Sequence, residues 1–469
     1  MGPEMNRNMV KIAGLVFAAF LVIIGYQTYL QVFHAGYLLN HPRNRRLQLL
    51  EEAVERGRIL DRNSQILAET VSGPKGRFRQ YPYGPVTSGI TGYISGRYGR
   101  WGLEAAYNPI LLGFDRDLAE DDFWAVQRVG KNKKGNDIIL SIDVNLQREA
   151  YRLLGDRRGA VVALEPSTGR ILAMVSKPGF DPAKVDTGWE SLINDPASPL
   201  LNRAAQGLYP PGSAFKVITV AGALNQNPDT AQRIFDAPGY ITIEGRRIED
   251  RQAIGRLNFA QALARSSNYV FATLGLEQGA ENLLTTARNF GLGRPLPFDL
   301  AAEEGNLPQP AGMSKLELGE SAIGQGRILV TPLSMAMVAA AIANEGVMMG
   351  PTLVDEVREP GGVRIKSTQP KQLRIAASPD IAKTLAAAMI LTVNEGTGTA
   401  AALPGVRVAG KTGSAQNPHG QTHAWFIGFA PAENPLVAVG VIVENAGAGG
   451  REAAPIAGDI IKKVIGQKR

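Results

Sequence analysis

An α/β domain with an antiparallel sheet, preceded by a small, mostly β module and one N-terminal transmembrane helix, is the fold this sequence predicts. Three observations carry it. Residues 12–26 are apolar or glycine without interruption, turn-rich sequence gives way at Asn136 to alternating strand and helix patterns, and strands return near the C-terminus after a long helical middle. At 469 residues, 44% hydrophobic and 20% charged, the chain has room for about three domains and a large core.

The apolar run is extended by Thr28, Tyr29, Leu30, Val32 and Phe33 to cover residues 12–33, close to the roughly 20 residues that span a bilayer. A cleaved signal peptide would have a shorter apolar region ending at a small-x-small site, whereas 27–33 is bulky, so the segment reads as an uncleaved anchor. The short tail 1–11 is placed on the cytoplasmic side, although Arg7 and Lys11 before the span are matched by Arg43, Arg45 and Arg46 beyond it. Residues 1–4 read as a remnant ahead of Met5.

Residues 34–135 form the small module. They are rich in Gly, Arg and Tyr, and turn signals such as Tyr83-Gly84-Pro85 and Tyr98-Gly99-Arg100 separate short β-branched runs. Basic residues concentrate here, within a net charge of +7. Such a surface suits nucleic acid, anionic lipid or an anionic wall polymer, and no nucleic-acid-binding motif accompanies it. The absence of cysteine excludes disulfides, thiolate metal sites and a Cys nucleophile.

The rest of the chain, residues 136–469, changes pattern. A strand over 138–142 and a helix over 147–154 lead to strands 159–164 and 170–176, joined by the turn Glu165-Pro166-Ser167-Thr168-Gly169. Ala and Leu spacing then predicts a helical stretch over 212–395, with helices at 215–224, 258–264, 282–290, 333–343 and 381–393. Thr331-Pro332 supplies a capping hydroxyl and a proline for the first helical position. Strands 406–409, 425–430 and 437–444 and a helix over 455–465 complete a single α/β/α domain.

Three strings carry the chemistry. In the first, Tyr209-Pro210-Pro211-Gly212 stops the preceding chain, and Phe215, Val217, Ile218, Val220, Ala221 and Leu224 make the next helix apolar all round, hence buried. Ser213 opens that helix, where free N–H groups and a partial positive charge favour an oxyanion. Lys216 follows three residues on, on the same face. A buried lysine beside other cations gives up its proton readily, so Lys216 can act as general base toward Ser213. Ser72-Gly73-Pro74-Lys75 has the same spacing, but its glycine and proline forbid the helical turn that would join serine to lysine.

The second string is Ser266-Ser267-Asn268, expected on a loop or helix edge just past 258–264. Ser266 could relay a proton to or from the amine, and Asn268 could hold a substrate amide; a polar helix cap is the alternative. The third, Lys411-Thr412-Gly413-Ser414, follows a strand over 406–410 along which a peptide could dock. Lys411 and Thr412 would bind its terminal carboxylate, and the Ser414 and Ser213 N–H groups would form an oxyanion hole. A surface lysine at a turn is the alternative here. His419 and His423 are four apart but lack the glutamate of a zinc-protease helix, so no metal site or cofactor is expected, and His423 is placed at the cleft rim.

In this order, the three strings resemble those of a class B penicillin-binding protein, a membrane-anchored peptidoglycan D,D-transpeptidase. Arg56-Gly57-Arg58-Ile59-Leu60-Asp61-Arg62-Asn63 resembles the family's pedestal signature, with Ser64 where glycine is usual. Gly102-Leu103-Glu104, Ser141-Ile142-Asp143 with Leu146-Gln147, and Gly324-Gln325-Gly326 before Thr331-Pro332-Leu333 extend the likeness over nearly the whole chain. The resemblance implies the penicillin-binding/β-lactamase-like fold and acyl transfer on stem peptides ending in D-Ala-D-Ala. Ser213, Lys216, Ser266, Asn268 and Lys411 would be catalytic, Thr412, Gly413 and Ser414 substrate-binding, and β-lactams would acylate Ser213.

Related readings separate on single features. A class A β-lactamase would add a Glu-x-x-Leu-Asn string, absent from 295–320. A D,D-carboxypeptidase shares all three strings, and a scaffold that activates a polymerase is compatible with them. Residues 40–135 are too few for a glycosyltransferase domain, so the resemblance implies a polytopic glycan polymerase of the shape, elongation, division and sporulation class as partner.

Overall fold

The computed structural model describes residues 3–34, 54–74, 76–113, 134–250, 255–418 and 420–467; Arg43, Arg45, Arg46, Lys75 and His419 lie outside them. Helix α1 (Pro3–Val32) comes first. Its segment Arg7–Leu30 has a mean hydropathy of 2.3 and none of it is buried in the protein. At 1.5 Å per residue that segment is about 36 Å long, enough to cross a ~30 Å hydrocarbon layer.

Strands β1 (Ile59–Leu60), β2 (Ile66–Gly73) and β3 (Gly76–Gln80) follow, then a hairpin of Tyr93–Ser95 with Gly99–Trp101 and short helical turns. Next come β4 (Asp137–Leu140), α2 (Val144–Leu153), β5 (Gly159–Leu164) and β6 (Ile171–Lys177). The middle holds α3 (Lys216–Gln226), strands β7 (Ile234–Ala237), β8 (Tyr240–Ile243), β9 (Arg246–Glu249) and β10 (Gly255–Asn258), then α4 (Phe259–Arg265), α5 (Asn268–Asn289) and α6 (Pro332–Ala343). After β11 (Val354–Arg358), β12 (Arg364–Ser367) and α7 (Pro379–Glu395), the chain ends in β13 (Ala409–Ala415), β14 (His423–Ala430), β15 (Val437–Val443) and α8 (Ala454–Gln467).

The central sheet has the order β13-β14-β15-β5-β6, antiparallel throughout. Its strands are buried on both faces because successive side chains alternate between two cores. Ala160, Val162 and Leu164 of β5 join the cluster that includes α3 and α6, while Val161 and Ala163 join that of α2 and α8. This is the expected α/β/α layering. Helix α6 is nearly all buried, and its start is capped as Thr331 predicts, with Thr331 and Ser334 exchanging side-chain to backbone bonds.

A second sheet, β12-β11-β4-β1-β2-β3, joins strands from both parts of the sequence. β4 lies parallel to β1 and antiparallel to β11. Gly57 permits the junction, since a Cβ there would sit 1.9 Å from the Asn136 carbonyl oxygen. Arg58 clamps Asp137 (3.0 Å from Nε), and Asp61 accepts from the Val144 N–H at 3.0 Å. Ser64 has φ +63°, the left-handed region where glycine is unstrained, which gives a physical reason for the residue usual in the family.

The helical reading of 212–395 needs correction. Four strands, β7 to β10, form two hairpin-like pairs there, and Val347–Met349, β11, β12 and Gln372–Ile375 add four more. Short strands carry little Ala or Leu signal, but Ile241, Ile243 and Ile248 around Glu244-Gly245 are an alternating pattern broken by a turn. Helix α5 also begins well before 282, at Asn268, and kinks at Gly279.

Candidate active site

Ser213 lies in a 3-10 turn, Gly212–Phe215, that runs into α3. In such a turn side chains three apart eclipse, so Ser213 and Lys216 are stacked on one face, as their spacing suggests. The Lys216 N–H closes the turn on the Ser213 carbonyl. Trp425 Nε1 holds the preceding segment by donating to the Pro210 carbonyl at 3.0 Å, and the Tyr209 hydroxyl donates to Glu444 at 2.7 Å.

The turn also needs glycine on both sides. Gly324, at φ +76°, would place a Cβ 2.0 Å from the Gly212 carbonyl oxygen, and its own carbonyl accepts the Gly212 N–H at 2.8 Å. Gly324→Ala is therefore expected to displace the Ser213 turn and to slow penicillin acylation about tenfold to a hundredfold. Timed labelling with a fluorescent penicillin measures it, and a wild-type rate would show that the turn tolerates the push.

The second string is a helix-to-helix turn. Ser266 ends α4 at φ +60°, Ser267 caps α5 by accepting from the Val270 N–H, and Asn268 is the first residue of α5. The polar-cap alternative thus describes Ser267, while its two neighbours face the lysines. Lys216 Nζ donates to the Ser266 carbonyl at 2.7 Å, the Ser266 hydroxyl at 3.3 Å and Asn268 Oδ1 at 2.7 Å. Lys411 Nζ donates to the same hydroxyl at 3.0 Å and to the Thr412 carbonyl at 2.9 Å.

The third string lies within a strand, not after one. β13 starts at Ala409, so Lys411, Thr412, Gly413 and Ser414 are all strand residues, and the expected strand at 406–409 is displaced toward the C-terminus. Lys411 is fully buried, which excludes the surface-lysine alternative. β13 is an edge strand of the central sheet, so one side of its backbone is left for a guest strand. Gly413 lets the nucleophile turn approach, since a Cβ there would lie 2.7 Å from the Pro211 carbonyl oxygen.

Ser213, Ser266, Asn268, Thr412 and Ser414 all line one open cleft of ≈ 1160 Å³. Both lysines lie beneath it with no exposed surface. Burial lowers the Lys216 amine to about 7, with Asp250 opposing the shift. The cause is therefore desolvation and not the neighbouring cations that the sequence suggested. An amine half neutral near pH 7, beside a hydroxyl at a helix start, has the makings of a base and nucleophile pair.

His423 is not at the rim. It opens β14, accepts the Asn445 N–H on Nδ1 at 3.1 Å and packs edge-on against Tyr209, and burial lowers its pKa. Sequence reasoning missed Asp250, which holds the Ser267-Asn268 turn, and Thr397, whose hydroxyl lies 2.6 Å from that of Thr412. Thr397 sits between Gly396 and Gly398, a loop signal that was available; Asp250 had none.

Residues 159–462 match the penicillin binding protein transpeptidase domain, and residues 56–138 match the penicillin binding protein A dimerisation domain. The peptidoglycan D,D-transpeptidase PbpA of Mycolicibacterium smegmatis is 38% identical, over 96% of this chain and 97% of that protein. The peptidoglycan D,D-transpeptidase MrdA of Escherichia coli is 30% identical, over 84% of this chain and 71% of that protein. Among solved structures, the ceftriaxone acyl-enzyme complex of Mycobacterium tuberculosis penicillin-binding protein A superposes with a TM-score of 0.82 at 36% identity, covering 89% of this chain and 100% of that one.

Proposed function

The chain belongs to the class B penicillin-binding proteins, the peptidoglycan D,D-transpeptidases, and from that premise we propose how its residues divide the reaction. The protein is a serine-type transpeptidase that binds penicillins. Ser213 is the nucleophile. Its hydroxyl proton passes to the neutral Lys216 amine as the oxygen attacks the penultimate D-Ala carbonyl, and the charge on the former carbonyl oxygen is held by the Ser213 and Ser414 N–H groups. When the C–N bond breaks, the departing D-Ala nitrogen is protonated through Ser266, which both lysines contact. An amine of a second stem peptide then takes the acyl group, releasing Ser213 and completing the cross-link.

Asn268 and the backbone of β13 hold the donor peptide, Gly413 keeps that strand against the Ser213 turn, and Thr412 receives the terminal carboxylate with the positive charge of the buried Lys411 behind it. The observation that carries these roles is the convergence of Lys216, Ser266, Asn268 and Lys411 through bonds of 2.7–3.3 Å, one helical turn from a Ser213 that lines the same cleft. Residues 34–135 serve as the pedestal and 136–469 as the transpeptidase domain. α1 anchors the protein by a single pass with the cleft outside the cytoplasm, where the wall is built. Its exposed apolar flank suits a polytopic glycan polymerase as partner.

The test combines adduct mapping with turnover. The purified chain should form a long-lived penicillin adduct on the peptide bearing Ser213, and should join two stem peptides with loss of D-Ala. An adduct on another residue would sink the assignment, and loss of D-Ala without joining would make the enzyme a carboxypeptidase.

A further inference from the structure

Asp250 is a carboxylate that these roles leave unused, yet the second string is built on it. It follows β9, and its N–H closes the hairpin on the Gly239 carbonyl at 2.7 Å. One carboxylate oxygen accepts from the Ser267 hydroxyl at 2.7 Å; the other accepts from the Tyr269 N–H at 3.2 Å and from the Asn268 N–H. These are among the free N–H groups at the start of α5, where a negative charge is favoured. The preceding Glu249 carbonyl takes the Asn268 side-chain N–H at 2.6 Å, which leaves Asn268 Oδ1 to Lys216.

We propose that Asp250 is a positioning residue for acylation: it fixes the turn that carries Ser266 and Asn268, and its negative charge is the electrostatic partner of the Lys216 amine across that turn. The proposal rests on Ser213 and Lys216 as nucleophile and base. Beyond its bonds to Ser266 and Asn268, that amine has other neighbours besides Asp250. Lys411 shares the Ser266 hydroxyl, the Phe271 ring of α5 lies 5.5 Å from Nζ, and the charged groups Arg246, Arg247 and Glu249 of β9, Arg265 of α4, Glu320, Glu395 of α7 and Arg451 line the cleft above. Arg246 is paired with Glu320 at 3.2 Å and Arg247 with Glu249 at 2.9 Å, and of the cleft's carboxylates, Glu395 included, Asp250 is the one whose charge opposes burial at Lys216.

The experiment follows acylation of the full chain by a fluorescent penicillin across pH, alongside thermal unfolding. Asp250→Asn keeps the size and removes the charge. It should slow acylation about tenfold and move the midpoint of the acidic limb to lower pH, because the protonated amine loses its partner. Ser267→Ala removes one neutral bond and should leave the midpoint in place. Asp250→Glu restores the charge with altered reach and should restore the midpoint at a reduced rate.

An Asp250→Asn protein with the wild-type midpoint overturns the proposal, however slow or unstable it is. If that variant does not fold, Asp250→Glu decides: the wild-type rate in it overturns the positioning role, and a reduced rate at the wild-type midpoint supports it. Failure of the wild-type chain to be acylated at Ser213 is a different result and overturns the reading on which the proposal rests.

Discussion

Lys216→Met is expected to slow acylation of Ser213 by roughly 10⁴-fold while the fold persists. Lys216 is completely buried in the first turn of α3, and methionine fills an unbranched aliphatic volume of similar length, so the packing against Phe271 is largely kept. What disappears is the proton acceptor. In the wild type burial lowers the amine to about 7, against the opposing charge of Asp250. The reacting form is the neutral amine, so acylation should rise with pH through about 7 and fall tenfold for each unit below it. Rates of penicillin acylation over a pH series test both statements. A flat profile through that midpoint, or a methionine variant retaining more than a few per cent of the rate, would remove Lys216 from the role of base.

Much of this site was legible because its strings are local. Ser213 and Lys216 share one helical turn, and the order Ser-x-x-Lys, Ser-x-Asn, Lys-Thr-Gly carries its own context. The unbroken apolar runs of β5 and β15 and the Thr331-Pro332 start were readable for the same reason: a buried strand and a helix start each show within a few residues. Contacts made across sequence were not. Asp250, just past β9, accepts from amides at the start of α5, and Thr397 meets a hydroxyl fifteen positions away. β13 was misplaced because Val406-Arg407-Val408 alternates well, whereas Lys411 and Thr412 read as polar until the partners that bury them are known. The pedestal's sheet could not be drawn from sequence at all, since β4 and β11 reach it from distant parts of the chain.

Glu104, in a short helical turn beside that shared sheet, pairs with Arg79 of β3 and with Arg56 just before β1, and Glu104→Ala is expected to destabilise the protein by about 3–5 kcal/mol. The Glu104 carboxylate has no exposed surface and lies between two guanidinium groups that are themselves 5% exposed. Arg56 Nε reaches one of its oxygens at 2.6 Å, and Arg79 Nε reaches the other at 2.7 Å. Burial pushes its pKa up, but the charges of Arg79 and Arg56 outweigh that and hold it below the usual carboxylate range. Removing the carboxylate would leave two buried cations without their anion, which costs more than the pair contributes when intact. Because the folded pKa is depressed, this stabilisation is fully present above the ordinary carboxylate range and is lost as pH falls through the lowered value. Thermal unfolding should therefore show a large gap between wild type and Glu104→Ala at neutral pH that narrows in acid. Equal melting at neutral pH would mean that Arg56 and Arg79 find other partners. A fall in melting temperature with normal acylation below it would separate support of the fold, carried through β1 and β4, from the chemistry of the cleft.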